Sequence, residues 1–351
     1  MLQKWIQHLN AGRALDENDT RQAVELLSDE NVLAELKADF LAAFGKKGET
    51  ADEIALFARA LRDKAIEPPL DAALRSREIL DVVGTGGDRL GTFNISTAAA
   101  IICAAAGATV AKHGNRAVTS QAGSADVLQA LGIRIDLTPA EAVRSLREKN
   151  FAFFFAPSYH PAFKHIGPAR KLCAERGVRT IFNLLGPLLN PVRPSAMLMG
   201  VPRPELCEPM ARVLQTLGVR RAMVVCGKVS GVGFLDELST LGENTIAEFY
   251  QERGFNVSTL LTDEFPLQPA LLADLLGGDK TTNAKIVRDI LSGAEQGPRR
   301  EAVLLNAAAA LFVAGKSRSL MDGWSLAVET IGSGRAREKL AELADASAPP
   351  T

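Results

Sequence analysis

The sequence predicts an α/β protein: a small N-terminal helical domain, then a larger α/β domain with a mostly parallel central sheet. Three observations carry this. Up to about residue 65 the apolar residues recur at helical spacing, and from residue 78 short apolar strands alternate with capped helices. Two segments, "FAFFFAP" from 151 and "RAMVVCG" from 221, are apolar almost throughout. A half-exposed strand would alternate apolar and polar residues, so an unbroken apolar run implies a sheet covered on both faces, the usual setting of parallel strands. The intervening helices supply the crossovers that parallel pairing needs.

The elements follow in order. In "GETADEIALFARALRDKA", Thr50 and Glu53 make a capping box, and Ile54, Phe57, Ala58 and Leu61 share one helix face. Pro68 and Pro69 break the helical pattern, so the helical unit is placed at residues 1–70, with helices around 162–190 expected to join it. The α/β unit is 76–345 and the tail 346–351. "EILDVV" is a strand; a glycine loop follows, then a helix from about Ser96 to Ala106 stopped by Gly107. "ATVAKHG" is the next strand, Ser124 the expected N-cap of "ADVLQAL", Gly132 its stop, and "IRIDL" a further strand. Thr138, Pro139 and Glu141 form an N-cap, N1 and N3 set. Helical segments near 301–315 and 323–345 close the domain.

Composition restricts the function. The 351 residues include 40 basic and 41 acidic ones, a formal charge of -1, which lacks the global counterion-release signature of a nucleic-acid binder. Any anion site is therefore local. The four cysteines form no CxxC pair, nothing at the N-terminus reads as a leader, and "AAAIICAAAGA" is too short to span a bilayer. A cytoplasmic protein is expected, with neither nucleic acid nor membrane as partner.

Three stretches carry chemistry. "DVVGTGGDRLGTFNIST", residues 81–97, lacks the Gly-Lys-Ser/Thr end of a P-loop and, at Arg89, the third glycine of a dinucleotide fingerprint. Gly84, Gly86 and Gly87 still let amides approach an anion, and the helix starting near Asn94 to Thr97 aims its positive end the same way. A tight strand-to-helix turn is the other reading. A carboxylate here, Asp88, is costly unless a metal or sugar hydroxyl accompanies the anion. "KHGNRAVTSQAGSAD", residues 112–126, sets cations Lys112 and Arg116 and donors Asn115, Thr119, Ser120 and Ser124 at a strand's carboxyl end, where open α/β sheets bind ligands. A solvated polar loop would look similar. In "GFLDELST", Asp236 and Glu237 suit a metal-diphosphate complex, although adjacent acids also arise by chance. His160 and His165 in "HPAFKH" lack the HExxH pattern and read as solvated or locally bonded.

Taken together, "GTGGD", "TFNIST", "KHGNR", "GSAD", "RTIFNLLGPLLNP" and "LDELSTLG" resemble, in order and spacing, the anthranilate phosphoribosyltransferase family, from about residue 45 almost to the end. The resemblance implies a fold of the nucleoside phosphorylase/phosphoribosyltransferase type and a homodimer formed through the helical part. It implies transfer of the phosphoribosyl group from phosphoribosyl pyrophosphate to the anthranilate amine, with release of pyrophosphate, in tryptophan biosynthesis. By motif, the phosphoribosyl pyrophosphate contacts would be Gly84, Gly87, Asp88, Thr92, Asn94, Ile95, Ser96, Thr97, Ser124 and the run Lys112, His113, Gly114, Asn115, Arg116, Ala117, Val118, Thr119 and Ser120. Ser96, Asp236 and Glu237 would hold Mg²⁺; Gly84, Asn115 and Arg170, lined by His113 and Pro187, would hold anthranilate.

No acid or base is then required, because an aniline nitrogen is already neutral near pH 7. Lys112 and Arg116 would stabilise the departing diphosphate electrostatically. The chain departs from the family pattern at Arg89, where glycine is usual, at Cys226, in a longer segment after Arg170, and in the expanded "CGKVSGVGFLDE". A pyrimidine nucleoside phosphorylase shares the architecture, but its lysine-serine loop signature is absent. A silent paralogue binding nucleic acid is disfavoured by the neutral charge.

Overall fold

The computed structural model describes residues 1–117, 121–251 and 254–345. Four helices, Leu2–Asn10, Glu17–Ser28, Ala34–Lys47 and Ala51–Arg62, open the chain. The expected capping box is present: Glu53 N–H donates to Thr50 Oγ1 at 3.2 Å, and Thr50 N–H donates to Glu53 Oε2 at 3.0 Å. The Glu53 carboxylate also accepts from Leu15 N–H and Lys47 Nζ, so its buried charge is met on every side.

One sheet organises the rest. Its strands are β1 (Ile79–Gly84), β2 (Thr109–Gly114), β3 (Phe151–Phe155), β4 (Ala196–Gly200), β5 (Arg221–Val229), β6 (Gly233–Leu235), β7 (Asn244–Tyr250) and β8 (Gly254–Leu260). The order is β3-β2-β1-β4-β5-β7-β8, with β6 paired to β5. β1 to β5 are parallel, while β6, β7 and β8 add antiparallel pairs. That antiparallel extension has no counterpart in the sequence reading. The chain moves outward from β1 to β3 and then returns to the other side of β1, so the topological switch falls between β1 and β4. Open α/β sheets bind ligands at such a point, outside the carboxyl ends of the strands.

Both sheet faces are covered. On one, Leu80, Val82, Leu198 and Met223 pack with helices Ile95–Ala105, Pro298–Val313 and Leu320–Gly332. On the other, Met197, Met199, Val224 and Phe249 share a continuous core with the four N-terminal helices and with helices Phe163–Glu175 and Cys207–Thr216. Among the described residues no helix is long and apolar enough to cross a membrane.

Three local expectations are corrected. "IRIDL" is not a strand: Ile133 and Ile135 satisfy the alternation by burial in the core, and the Ile133 amide is spent on the Leu128 carbonyl instead of a ladder. Ser124 is not the N-cap, since its helix begins at Ser124 behind Gly123, whose amide is met by the Asp126 carboxylate at 3.0 Å. The segment 323–345 is two helices, Leu320–Gly332 and Arg335–Asp345, parted at Ser333 and at Gly334 with φ 85°.

Candidate active site

The site assembles at the β1/β4 switch point. The glycine loop leaves β1, and Gly86 and Gly87 adopt φ 73° and 94°, a region open to glycine at no steric cost. The loop is pinned at both ends: Thr85 N–H donates to the Gly200 carbonyl at 3.0 Å, and Gly277 N–H donates to the Gly91 carbonyl at 2.9 Å. Thr92 forms a bridge with Leu276.

The acidic pair arrives from β6. Asp236 Oδ2 accepts the Gly86 amide at 2.5 Å, and Glu237 Oε1 accepts the Ser96 amide at 3.1 Å. Thus Gly84, Asp88, Ser96, Asp236 and Glu237, distant along the chain, share one crevice. Burial pushes the Asp236 carboxyl well above its usual range, and repulsion from Asp88 and Glu237 adds to this. Glu237 is raised to about 7, again chiefly by burial, with Lys112 acting against it. A recessed group of like charges that resists ionisation is chemically suited to a divalent cation. Among the described residues no three His, Cys, Asp or Glu side chains close a metal cage, so phosphate oxygens would have to complete the coordination, as is common for Mg²⁺.

The second loop is braced from within. The Asp126 carboxylate accepts the amides of Ala117 at 2.9 Å and Gly123 at 3.0 Å, and its other oxygen accepts from Arg116 at 2.9 Å. Arg116 also bonds Gln129 and lies over the Phe155 ring. Lys112 is buried on β2 with Nζ donating to the Val82 carbonyl at 2.6 Å. Asn115 is exposed, and Ser124 Oγ donates to its carbonyl at 3.4 Å. A side chain at Gly114 would collide with Ser124 Oγ and the Phe153 ring, so this approach requires glycine. Asn94 ties the two loops: its amide nitrogen donates to the Ala122 carbonyl at 3.2 Å while its oxygen accepts from Asn283 at 3.0 Å. Ile95 and Thr97 are buried, and their amides donate to the Phe93 and Asn94 carbonyls at 2.8 and 3.2 Å. Val118, Thr119 and Ser120 lie outside the described residues, as does the tail 346–351.

On the helical side, Arg170 is exposed with its guanidinium 5.2 Å from the Phe182 ring centroid and no hydrogen-bond acceptor among the described residues. Pro187 is buried in the turn Gly186–Leu189. His113 is buried beside His160, ring centroids 5.4 Å apart, and Nε2 of each lacks a partner among the described residues. Burial lowers them to about 3 and about 4, so both are neutral at pH 7. His160 is locally bonded as read, through the Leu189 carbonyl, but it is not a surface residue.

Sequence reading missed the residues that hold the acidic pair. A Cβ at Gly200 would run into the Asp236 carbonyl oxygen, so the end of β4 must be glycine. Asn306, buried in helix Pro298–Val313, accepts from Leu238 N–H and donates to the Leu238 carbonyl, both at 2.9 Å. One asparagine inside "LLNAAAALF" was the available signal, because a polar side chain in an apolar helix needs a specific partner.

A mostly parallel sheet with a glycine loop against a recessed acidic pair, packed on a helical bundle, is the architecture of an α/β glycosyl transferase. Residues 76–337 match the glycosyl transferase family, a/b domain, and residues 3–65 match the glycosyl transferase family, helical bundle domain. The chain is 43% identical over 345 residues to the anthranilate phosphoribosyltransferase of Petrotoga mobilis, covering 98% of this chain and 96% of that one. It superposes on anthranilate phosphoribosyltransferase from Thermus thermophilus with TM-score 0.86 at 41% identity, covering 97% and 98% of the two chains. With the Saccharomyces cerevisiae enzyme, solved in complex with PRPP and Mg, the TM-score is 0.87 at 27% identity, covering 99% and 97%. The chain belongs to the anthranilate phosphoribosyltransferase family and is an enzyme of that class.

Proposed function

We propose that this chain binds phosphoribosyl pyrophosphate and Mg²⁺ in the β1/β4 crevice and joins the phosphoribosyl group to anthranilate, releasing pyrophosphate, as a step of tryptophan biosynthesis. The observation that carries this reading is the paired anchoring of Asp236 on the Gly86 amide and Glu237 on the Ser96 amide, which sets two carboxylates against an amide-rich anion loop. The substrate's phosphates would lie along Gly84, Gly87, Asp88, Thr92 and Asn94 to Thr97, and along Lys112 to Ala117 with Ser124 beyond. Val118 to Ser120 belong to the same motif.

Mg²⁺ between Asp236, Glu237 and the diphosphate would neutralise charge on the leaving group, with Ser96 close by. Lys112 acts from beneath: burial lowers its pKa, and the Asp81 and Glu237 carboxylates act against that by favouring its charged form. Arg116 acts by holding the second loop in shape through Asp126. Departure of pyrophosphate builds positive charge at the anomeric carbon, so no protein nucleophile is needed. The amine of anthranilate is already neutral, and catalysis rests on positioning and electrostatics. Arg170 would grip the anthranilate carboxylate, with Gly84, Asn115, His113 and Pro187 shaping its approach; two neutral histidines in that wall suit an apolar ring. A homodimer through the helical part and a cytoplasmic location complete the reading.

The deciding experiment follows anthranilate fluorescence in the presence of phosphoribosyl pyrophosphate and Mg²⁺. Loss that requires both supports the assignment. A folded protein that binds phosphoribosyl pyrophosphate yet leaves anthranilate untouched would point to another aromatic acceptor.

A further inference from the structure

Among the described residues three non-glycine residues have positive φ: Arg89 at 58°, Asn150 at 55° and Arg193 at 55°. Two have evident reasons. Asn150 ends the helix Pro139–Lys149 in the left-handed position that asparagine tolerates. Arg193 pairs with Asp63 at 3.2 Å. Arg89 alone has no ion pair, hydrogen bond or ring contact among the described residues, and its side chain is exposed. Glycine would occupy that conformation without steric cost, so the strain is tolerated for the sake of the side chain.

Its surroundings say what the side chain meets. Arg89 sits at the middle of the glycine loop, whose two ends are pinned to Gly200 and to the segment around Leu276. Gly86, three residues before it, donates to Asp236 Oδ2 at 2.5 Å, so the loop that carries Arg89 borders the two carboxylates. The two cations nominated by sequence motif are already engaged, Lys112 by the Val82 carbonyl and Arg116 by Asp126 and Gln129. A substrate with several phosphate charges therefore meets an uncommitted guanidinium on the loop itself. We propose that Arg89 is a substrate-binding residue, its guanidinium donating to the diphosphate of phosphoribosyl pyrophosphate from the tip of the glycine loop.

This rests on the functional reading above, and the test separates the two. Binding of phosphoribosyl pyrophosphate with Mg²⁺ is measured calorimetrically for wild type, Arg89→Gly and Arg89→Lys, with inorganic pyrophosphate and ribose 5-phosphate as competitors. Arg89→Gly should bind phosphoribosyl pyrophosphate and pyrophosphate about tenfold more weakly, the size expected for a partly exposed charge-assisted bond. Ribose 5-phosphate affinity and the anthranilate KM should hold, and Arg89→Lys should fall between. Removing the strain should leave Tm unchanged or raised, which separates lost contact from lost fold. Equal affinity in wild type and Arg89→Gly, or a loss confined to ribose 5-phosphate, overturns the assignment while leaving the site intact. A wild-type protein that binds no phosphoribosyl pyrophosphate overturns the site itself.

Discussion

Glu237 Oε1 accepts the Ser96 amide at 3.1 Å, joining the strand-end acidic pair to the first turn of the helix that begins at Ile95. The carboxylate thereby occupies the positive end of the helix dipole. Its neighbour Asp236 is held by the opposite arm of the same loop, at Gly86.

Replacing both acids, Asp236→Asn with Glu237→Gln, should lower turnover at least about a hundredfold, the scale of losing preorganised charge at a leaving group. Because Asp88, Asp236 and Glu237 repel one another in a recessed site, Tm measured without Mg²⁺ should hold or rise. Wild-type rates at ordinary Mg²⁺ would refute the metal assignment, and chelation of Mg²⁺ should abolish activity in the native enzyme.

Arg170→Ala should raise the anthranilate KM more than the phosphoribosyl pyrophosphate KM. Arg170→Lys should recover only part of the loss, since a lysine cannot form the two parallel bonds of a guanidinium to a carboxylate. The guanidinium carbon lies 5.2 Å from the Phe182 ring centroid in the native chain. An unchanged anthranilate KM in Arg170→Ala would transfer that role to another cation.

Asn306→Leu removes both partners of the buried Leu238 peptide groups. Leaving them unsatisfied should cost about 2–4 kcal/mol, read as a drop in the urea midpoint. It should also lower kcat, because Leu238 directly follows Glu237. A stability loss with unchanged kcat would show that the loop keeps its shape without Asn306.

The two buried histidines should each contribute a loss of stability as pH drops from about 6.5 toward 4. His160 is pushed down to about 4 and His113 to about 3 in the fold, so over this range the unfolded chain takes up protons that the native one refuses. For His160 alone the loss by pH 4 is ~3 kcal/mol. Asp81, Asp236 and Glu237 oppose this: burial raises Asp81 to about 6, Glu237 to about 7 and Asp236 well above its usual range, so as pH falls the native state binds extra protons there and gains stability. Denaturation of His160→Asn at pH 7 and pH 4.5 should show a smaller acid loss than wild type. An equal loss would remove His160 as a source.

The sequence by itself determined the layering and nominated the loops. Apolar runs at 151 and 221 required a sheet covered on both faces; Thr50 with Glu53 and Thr138 with Glu141 fixed helix starts through bonds spanning three residues. Glycines beside Asp88 marked a tight loop with Gly86 and Gly87 at positive φ, because that signal lies within a few consecutive residues. Tertiary structure decided what depends on distant partners. Whether "IRIDL" became a strand turned on where the Ile133 amide was spent. Lys112 reads as a phosphate cation along the chain, yet the sheet buries it under the site with Val82 as partner. The need for glycine at 200 exists only because Asp236 crosses its Cα, and Arg89 is distinguished by lacking any partner among the described residues. Local bonding and periodicity are written in neighbouring residues, whereas the destination of each long side chain is set by which strands the fold places side by side.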